Sequence, residues 1–282
     1  VLQGHEDDFE RGLALLPHLT DGTVWLCRRP GAPIPTGQVE RVEVEEFAGP
    51  HPAGLPGTHI HMLAPVSDKR TVWSVDYQDV LAMGRLFRTG RLSVERVVAL
   101  GGPVVRRPRL LRTRLGASVE ELVAHEGNAD EQRWIAGSVL HGRTAEGPYA
   151  YLGRYHLQIS GLEVKPRRPL LGWLGPGLSS YSRLPIFASK LVPGKRFAFN
   201  TDAHGDPRAI VPIGVYEKVM PLDLMPTALL KSLVVGDAEQ AQELGCLELD
   251  EEDLALCAFV DPGKGDFGAA LRRVLTTIEK EG

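Results

Sequence analysis

Apolar residues first recur at helical spacing at Phe9, Leu13, Leu16 and Leu19, which predicts a helix over 9–19. Thr23–Cys27 is a short apolar strand, and Val42–Phe47 alternates as a strand does. Gly49–Gly57 is dense in glycine and proline and reads as a loop. Val72–Phe87 reads as strand then helix, and Val94–Leu100 as a buried strand ending at Gly101 and Gly102. Alternating strands and helices predict an α/β layer over 1–102, and only the second half of one.

The pattern changes at Pro103. Trp134–Leu140 and Tyr149–Ile159 are strand-like, separated by Gly147 and Pro148, and a short helix near Ser118–Ala124 can be capped by Ser118 with Glu121. A small mixed β unit over 103–164 follows, then a Gly-, Pro- and Ser-rich stretch over 165–205 that reads as an irregular β extension. From Asp206 the pattern is helical. Asp237 and Gln240 form a capping box, and Gly245 closes that helix. Asp266 can cap a last helix with Phe267, Leu271, Val274, Leu275 and Ile278 on one face. The fold class expected is α+β and multidomain, with a helical bundle over 206–282.

Composition narrows the function. A net charge of -4 speaks against nucleic acid as a partner. Cys27, Cys246 and Cys257 cannot all pair, so a reducing compartment is expected. No apolar run approaches the roughly 20 residues that span a bilayer. The chain opens on Val1 rather than Met, inside a helix-and-strand pattern, and is expected to be a piece of a longer protein.

The sequence has no phosphate-cradling lysine loop, no G-x-G-x-x-G turn, no H-E-x-x-H and no C-x-x-C. Five features remain. GPHPAGLPGTHIHML, from Gly49, lets a backbone come close to a ligand or another chain, and on a strand His59 and His61 would share a face. Two histidines are an incomplete metal set, so a structural loop is the favoured reading. The arginines of Arg106–Arg114 can pair with phosphate or a partner's acidic face, but a solvated strand beside a core register of Leu110, Leu111 and Leu115 is favoured. The acidic run Leu249–Leu254 is read as a helix start rather than a cation site. Cys246 and Cys257 are too few for an all-cysteine cluster. Trp25, Trp73, Trp134 and Trp173 are read as core or interface residues.

Several long stretches, in order, resemble the A subunits of bacterial Na+-translocating NADH:quinone reductases. They are the Gly49 segment, VWSVDYQDVLAMGRLF from Val72, PRLLRTRLGAS from Pro108, YLGRYHLQIS from Tyr151, VPIGVYEKVMPLDLMPT from Val211 and LGCLELDEEDLALCAFVDPGK from Leu244. That family is similar to the C subunit of the Rnf complex and to the flavin-binding subunit of complex I. The resemblance implies a partial Rossmann-like layer over 1–102, a β-grasp (soluble-ligand-binding) domain over 103–164 with its β extension, and a bundle that holds iron–sulfur clusters in the Rnf relative.

There the ligands follow C-x2-C-x2-C-x3-C-P. Set on Pro221, that spacing falls on Ile210, Ile213, Tyr216 and Met220; set on Pro262, on Glu251, Leu254, Cys257 and Asp261. One sulfur remains where each cluster needs four ligands, so neither is expected to assemble, and packing is expected to fill the first site.

The resemblance implies a peripheral subunit on the cytoplasmic face of the bacterial inner membrane, without a cofactor or catalytic residue of its own. Other subunits, one of them membrane-embedded, are its partners and carry the flavins, the iron–sulfur centre and the ubiquinone chemistry. His51, Gly54, Gly57, His59, His61 and Tyr77 are the candidate quinone or partner contacts. A quinone-binding module and a pure scaffold are the alternatives.

Overall fold

The structure, a computed structural model, describes residues 1–127, 131–164, 175–181 and 186–281. It divides into two compact units, one of 1–95 with 207–282 and the other of 96–206. Sheets and helices mix in an α/β architecture, and among the described residues no helix is long and apolar enough to cross a membrane.

In the first unit, α1 (Glu6–Leu15) packs on α3 (Tyr77–Thr89) through Phe9, Leu13, Val80 and Leu81. The backbones approach so closely that a Cβ on Gly84 would lie 1.7 Å from the Asp8 carbonyl oxygen, and one on Gly12 1.9 Å from that of Val80. Only glycine permits this crossing. The helix α1 ends before Leu19, which is 75% exposed, because the chain tightens into a 3-10 turn at Leu16–His18. The strands β1 (Val24–Arg28) and β2 (Val42–Glu46) pair in parallel, with Leu26 and Val42 against the helical core. α2 (Pro56–Leu63) follows them. The strand expected at the start of 72–87 does not form: these residues have no regular structure up to Asp76, which caps α3 by accepting from the Gln78 N–H at 2.8 Å.

The bundle comprises α5 (Pro226–Val235), α6 (Ala238–Glu243), α7 (Ala255–Val260) and α8 (Phe267–Glu281), so helix begins at Pro226 and not at Asp206. Prolines and glycines recur between 205 and 226 and explain the delay, since each breaks a helical run. The expected caps are present: Asp237 accepts from the Gln240 N–H and Asp266 from the Ala269 N–H, each at 3.0 Å. Gly245 follows α6 at φ 91°. Phe267, Leu271 and Val274 are buried, with Leu275 and Ile278 packed beside them.

The second unit carries a five-stranded sheet in the order β4-β3-β7-β5-β6. Its strands are β3 (Glu95–Gly101), β4 (Arg109–Arg114), β5 (Gln132–Ala136), β6 (Arg143–Thr144) and β7 (Gln158–Glu163). β7 runs parallel to β3 and antiparallel to β5. Strand over Trp134–Leu140 stops at Ala136, because Gly137 takes φ 109° and the chain turns. Tyr149–Ile159 is mostly not strand; Gly147–Tyr149 is a 3-10 turn and pairing starts only at Gln158. The helix α4 (Val119–Val123) is capped as expected, Ser118 Oγ accepting from the Glu121 N–H at 3.3 Å, and it buries Val119 and Val123 against Val98, Leu100 and Ile159. Leu110 departs from its expected core register and is 68% exposed, whereas Leu111 packs on the core. In the extension, Ala188–Leu191 is a 3-10 turn and no strand forms among the described residues; Trp173 lies outside them.

Candidate functional site

The candidate residues of the Gly49 segment sit on a turn and a helix rather than on a strand. Two successive turns, Ala53 N–H to Pro50 O at 2.9 Å and Leu55 N–H to Pro52 O at 2.8 Å, lead into α2, with Pro56 at its first position. Proline is well placed there because no intrahelical acceptor exists for its missing N–H. The Thr58 hydroxyl donates to Pro52 O at 3.1 Å and ties the turn to the helix.

On a helix, unlike on a strand, His59 and His61 do not share a face. Two positions along a helix turn the side chain by about 200°. His59 points back to its own segment, where Nε2–H donates to the Ala53 carbonyl at 2.9 Å and the ring packs tilted against Phe47 with centroids 4.1 Å apart. His61 points to the bundle, where Nδ1 lies 2.7 Å from Glu248 Oε2 and Nε2 accepts from the Asp223 N–H at 2.9 Å. They cannot ligate one metal ion, and no group of three or more metal-ligating side chains occurs among the described residues.

Gly57 lies in the first turn of α2 and not in a loop. A Cβ there would meet the Asp253 carboxylate at 2.3 Å, so glycine is what lets the helix settle on that side chain. Asp253 is 9% exposed and accepts from the Asp250 N–H at 3.0 Å, within the acidic run that precedes α7. Negative charge is favourable beside the first turn of a helix, so α2 is held at its start by Asp253 and further along by Glu248. His51 and Gly54 stay exposed on the turn. Tyr77 opens α3 and is 39% exposed; burial, then the charge of Asp76, pushes its phenol upward. Among the described residues, no hydrogen bond or ring contact joins Tyr77 to His59 or His61.

The bundle shows what stands where the cluster spacing falls. Tyr216 is fully buried and donates its hydroxyl to Asp261 Oδ1 at 2.7 Å. Asp261, 1% exposed, also accepts from Gly263 N–H at 2.9 Å and Gly265 N–H at 2.7 Å. A buried carboxylate needs such a set of donors. Cys257 and Leu254 are fully buried, Met220 nearly so, and Ile210 packs at the edge. Glu251 reaches outward to Arg272, with contacts of 2.6 and 2.8 Å. Packing therefore fills much of the first position set, but Ile213 is 50% exposed and Tyr216 contributes a polar contact as well as volume. Burial, with the charges of Glu217 and Asp261, pushes the Cys257 thiol up to about 12, and burial raises Cys246 to about 11. Neither is prepared as a thiolate ligand.

In the second unit, Arg109 pairs with Glu126 at 2.5 Å, the solvated-strand reading of the arginine stretch. A cavity of about 540 Å³ there is lined by Arg106, Val123, His125, Gln132, Trp134 and Glu146, a grouping that had no signal in the sequence. Glu248, Asp223 and Asp253 were also missed. His61 and Glu248 are 187 positions apart, and no local pattern links them.

Two family models match the chain, the NqrA second alpha/beta domain over residues 1–92 and the NQRA C-terminal domain over residues 97–147. Over all 282 residues the chain is 55% identical to the A subunit of the Na(+)-translocating NADH-quinone reductase of Shewanella amazonensis, covering 63% of that protein. It is 57% identical to the protein of the same name from Hahella chejuensis and 54% identical to that of Neisseria meningitidis, again over 282 residues and 63% of each relative. The chain thus spans a little under two thirds of the length of the relatives it matches.

Proposed function

We propose, from the premise that this chain belongs to the family of A subunits of the Na+-translocating NADH-quinone reductases, that it serves such an enzyme as a peripheral component without a redox group of its own. The enzyme named in those relatives is an oxidoreductase coupled to sodium transport, and its other subunits are the partners that this reading supplies. The chain would dock at the cytoplasmic face against a membrane-embedded partner. Flavins, the iron–sulfur centre and ubiquinone would be handled by those other subunits.

One observation carries the cofactor-free reading: the Tyr216–Asp261 hydrogen bond and the buried side chains of Leu254 and Cys257 stand where a cluster would need thiolates. The finer architecture follows the same premise. The parallel β1–β2 pair with α1 and α3 suits a partial Rossmann-like layer over 1–102, and the mixed sheet under α4 suits a β-grasp domain over 103–164. Residues 165–205 and 206–282 would be its extension and the bundle.

His51, Gly54 and Tyr77, with exposed surface, are the contacts this reading keeps for a partner. One nitrogen of His59 and both of His61 are already engaged within the chain, which favours assembly over quinone binding by these rings. The full-length protein, purified by itself and then with the other subunits, tests the proposal. The expected result is co-purification with them and no flavin or iron–sulfur absorption in the isolated protein. Visible absorption from a bound cofactor would overturn the cofactor-free reading, and failure to co-purify would overturn the assembly role.

A further inference from the structure

The two partners of His61 fix the position of its proton. A backbone N–H can only donate, so the Asp223 amide at 2.9 Å requires a lone pair on Nε2. The proton of the neutral ring must then sit on Nδ1, facing Glu248 Oε2 at 2.7 Å. The side chains of His61 and Glu248 are only 11% and 18% exposed, so water is a poor substitute for that contact, whereas Asp223 is exposed.

We infer that His61 is a proton-operated latch within the first unit. Neutral, as the Nδ1–H tautomer, it bridges Glu248 and Asp223 and holds α2 to the bundle. Carrying a second proton, it keeps Glu248 and releases Asp223. This goes beyond the assembly role proposed above and stands whether or not that role is correct.

The release follows from donor count. A second proton places an N–H on Nε2, opposite the Asp223 N–H, and two donors cannot share a hydrogen bond. The Glu248 contact meanwhile becomes an ion pair and strengthens. The latch therefore changes partners rather than opening. α2 stays attached, while the turn carrying Asp223 is freed beside Leu222, which is 5% exposed in the bundle core.

The charged residues on the segments that meet α2 are Glu248, from the 3-10 turn Cys246–Glu248, Asp223, which meets the ring through its backbone N–H, and Asp253, which lies beside Gly57. His59 turns away to the Ala53 carbonyl.

Nitrogen-15 spectra of the 282-residue chain, recorded from about pH 8 down to pH 5 where histidines commonly titrate, test the latch. At the alkaline end the His61 ring should show the Nδ1–H tautomer. The Asp223 amide should then shift with the same midpoint as the ring, and its exchange, corrected for the intrinsic rate, should quicken about tenfold as one hydrogen bond is lost. Glu248→Gln keeps an acceptor for Nδ1–H but removes the charge, so the midpoint should move to lower pH. His61→Gln offers both an acceptor and a donor without titrating, and should abolish the midpoint while leaving any response of the carboxylates. An Nε2–H tautomer at about pH 8, an Asp223 amide blind to the His61 midpoint, or an unmoved midpoint in Glu248→Gln would each overturn the inference.

Discussion

Tyr216 donates to Asp261 across 2.7 Å, so one residue from each of the two segments on which the cluster spacing falls meets the other. The contact is fully buried, and both Asp261 oxygens are further held by the N–H groups of Gly263 and Gly265. The bundle is thus an apolar core pinned by a buried polar contact.

Breaking that pin should loosen the bundle in proportion to the donors left unmatched. Tyr216→Phe removes one donor to a charged acceptor and should cost about 1.5–3 kcal/mol. Asp261→Ala strands a hydroxyl and two N–H groups and should cost more, about 3–5 kcal/mol. Hydrogen exchange over 226–281, followed by mass spectrometry, reads both. Equal protection in Asp261→Ala and the parent would refute the assignment.

The cysteines should label in an order set by burial. Cys246 and Cys257 are fully buried with thiols pushed up to about 11 and about 12, while Cys27 is half-buried and raised to about 11. A maleimide at about pH 8 should modify Cys27 first and reach the other two only as the bundle unfolds. Fast labelling of Cys257 in the native chain would contradict the packing described.

Glycine substitutions should separate close approach from free surface. Gly84→Ala and Gly12→Ala each drive a Cβ into backbone oxygen and should disrupt the α1–α3 pair, at a cost beyond about 3 kcal/mol. Gly57→Ala meets the Asp253 carboxylate and should cost about 1–3 kcal/mol, seen as faster exchange along α2. Gly54→Ala has nothing within 4 Å and should leave stability unchanged, which makes it a clean probe of partner docking.

Acid should weaken the α1–α3 pair through Asp8. The Arg88 guanidinium, at 2.5 Å, and then Arg85 hold the Asp8 carboxyl below the ordinary carboxylate range despite its burial. A carboxyl depressed in the folded state contributes fully above its unfolded value of about 3.9, and that contribution is lost as pH falls through the folded value. Thermal melts between about pH 5 and pH 2 should therefore fall more steeply for the parent than for Asp8→Asn. Parallel curves would remove Asp8 from the account.

Much of the fold was legible because its signals are local. Ser118, Asp237 and Asp266 each cap a helix within three residues, and the face of α8 repeats at helical spacing. The helix α2 was hidden because Pro56 and Gly57 read as breakers, although proline suits a first helical position and glycine suits a crowded one. The strand signal at Val72–Asp76 failed for the opposite reason: suitable side chains found no neighbouring strand to pair with.

The sequence by itself determined which positions lack thiolates, where the helices of the bundle are capped and which faces are apolar, since these depend on residue identity and short spacing. Only the tertiary structure decided where His59 and His61 point, that Tyr216 meets Asp261, and that Glu248, Asp223 and Asp253 receive α2. The contacts of Tyr216 with Asp261 and of His61 with Asp223 and Glu248 join residues 45, 162 and 187 positions apart. Partners so distant are chosen by how the elements pack, which no local pattern encodes.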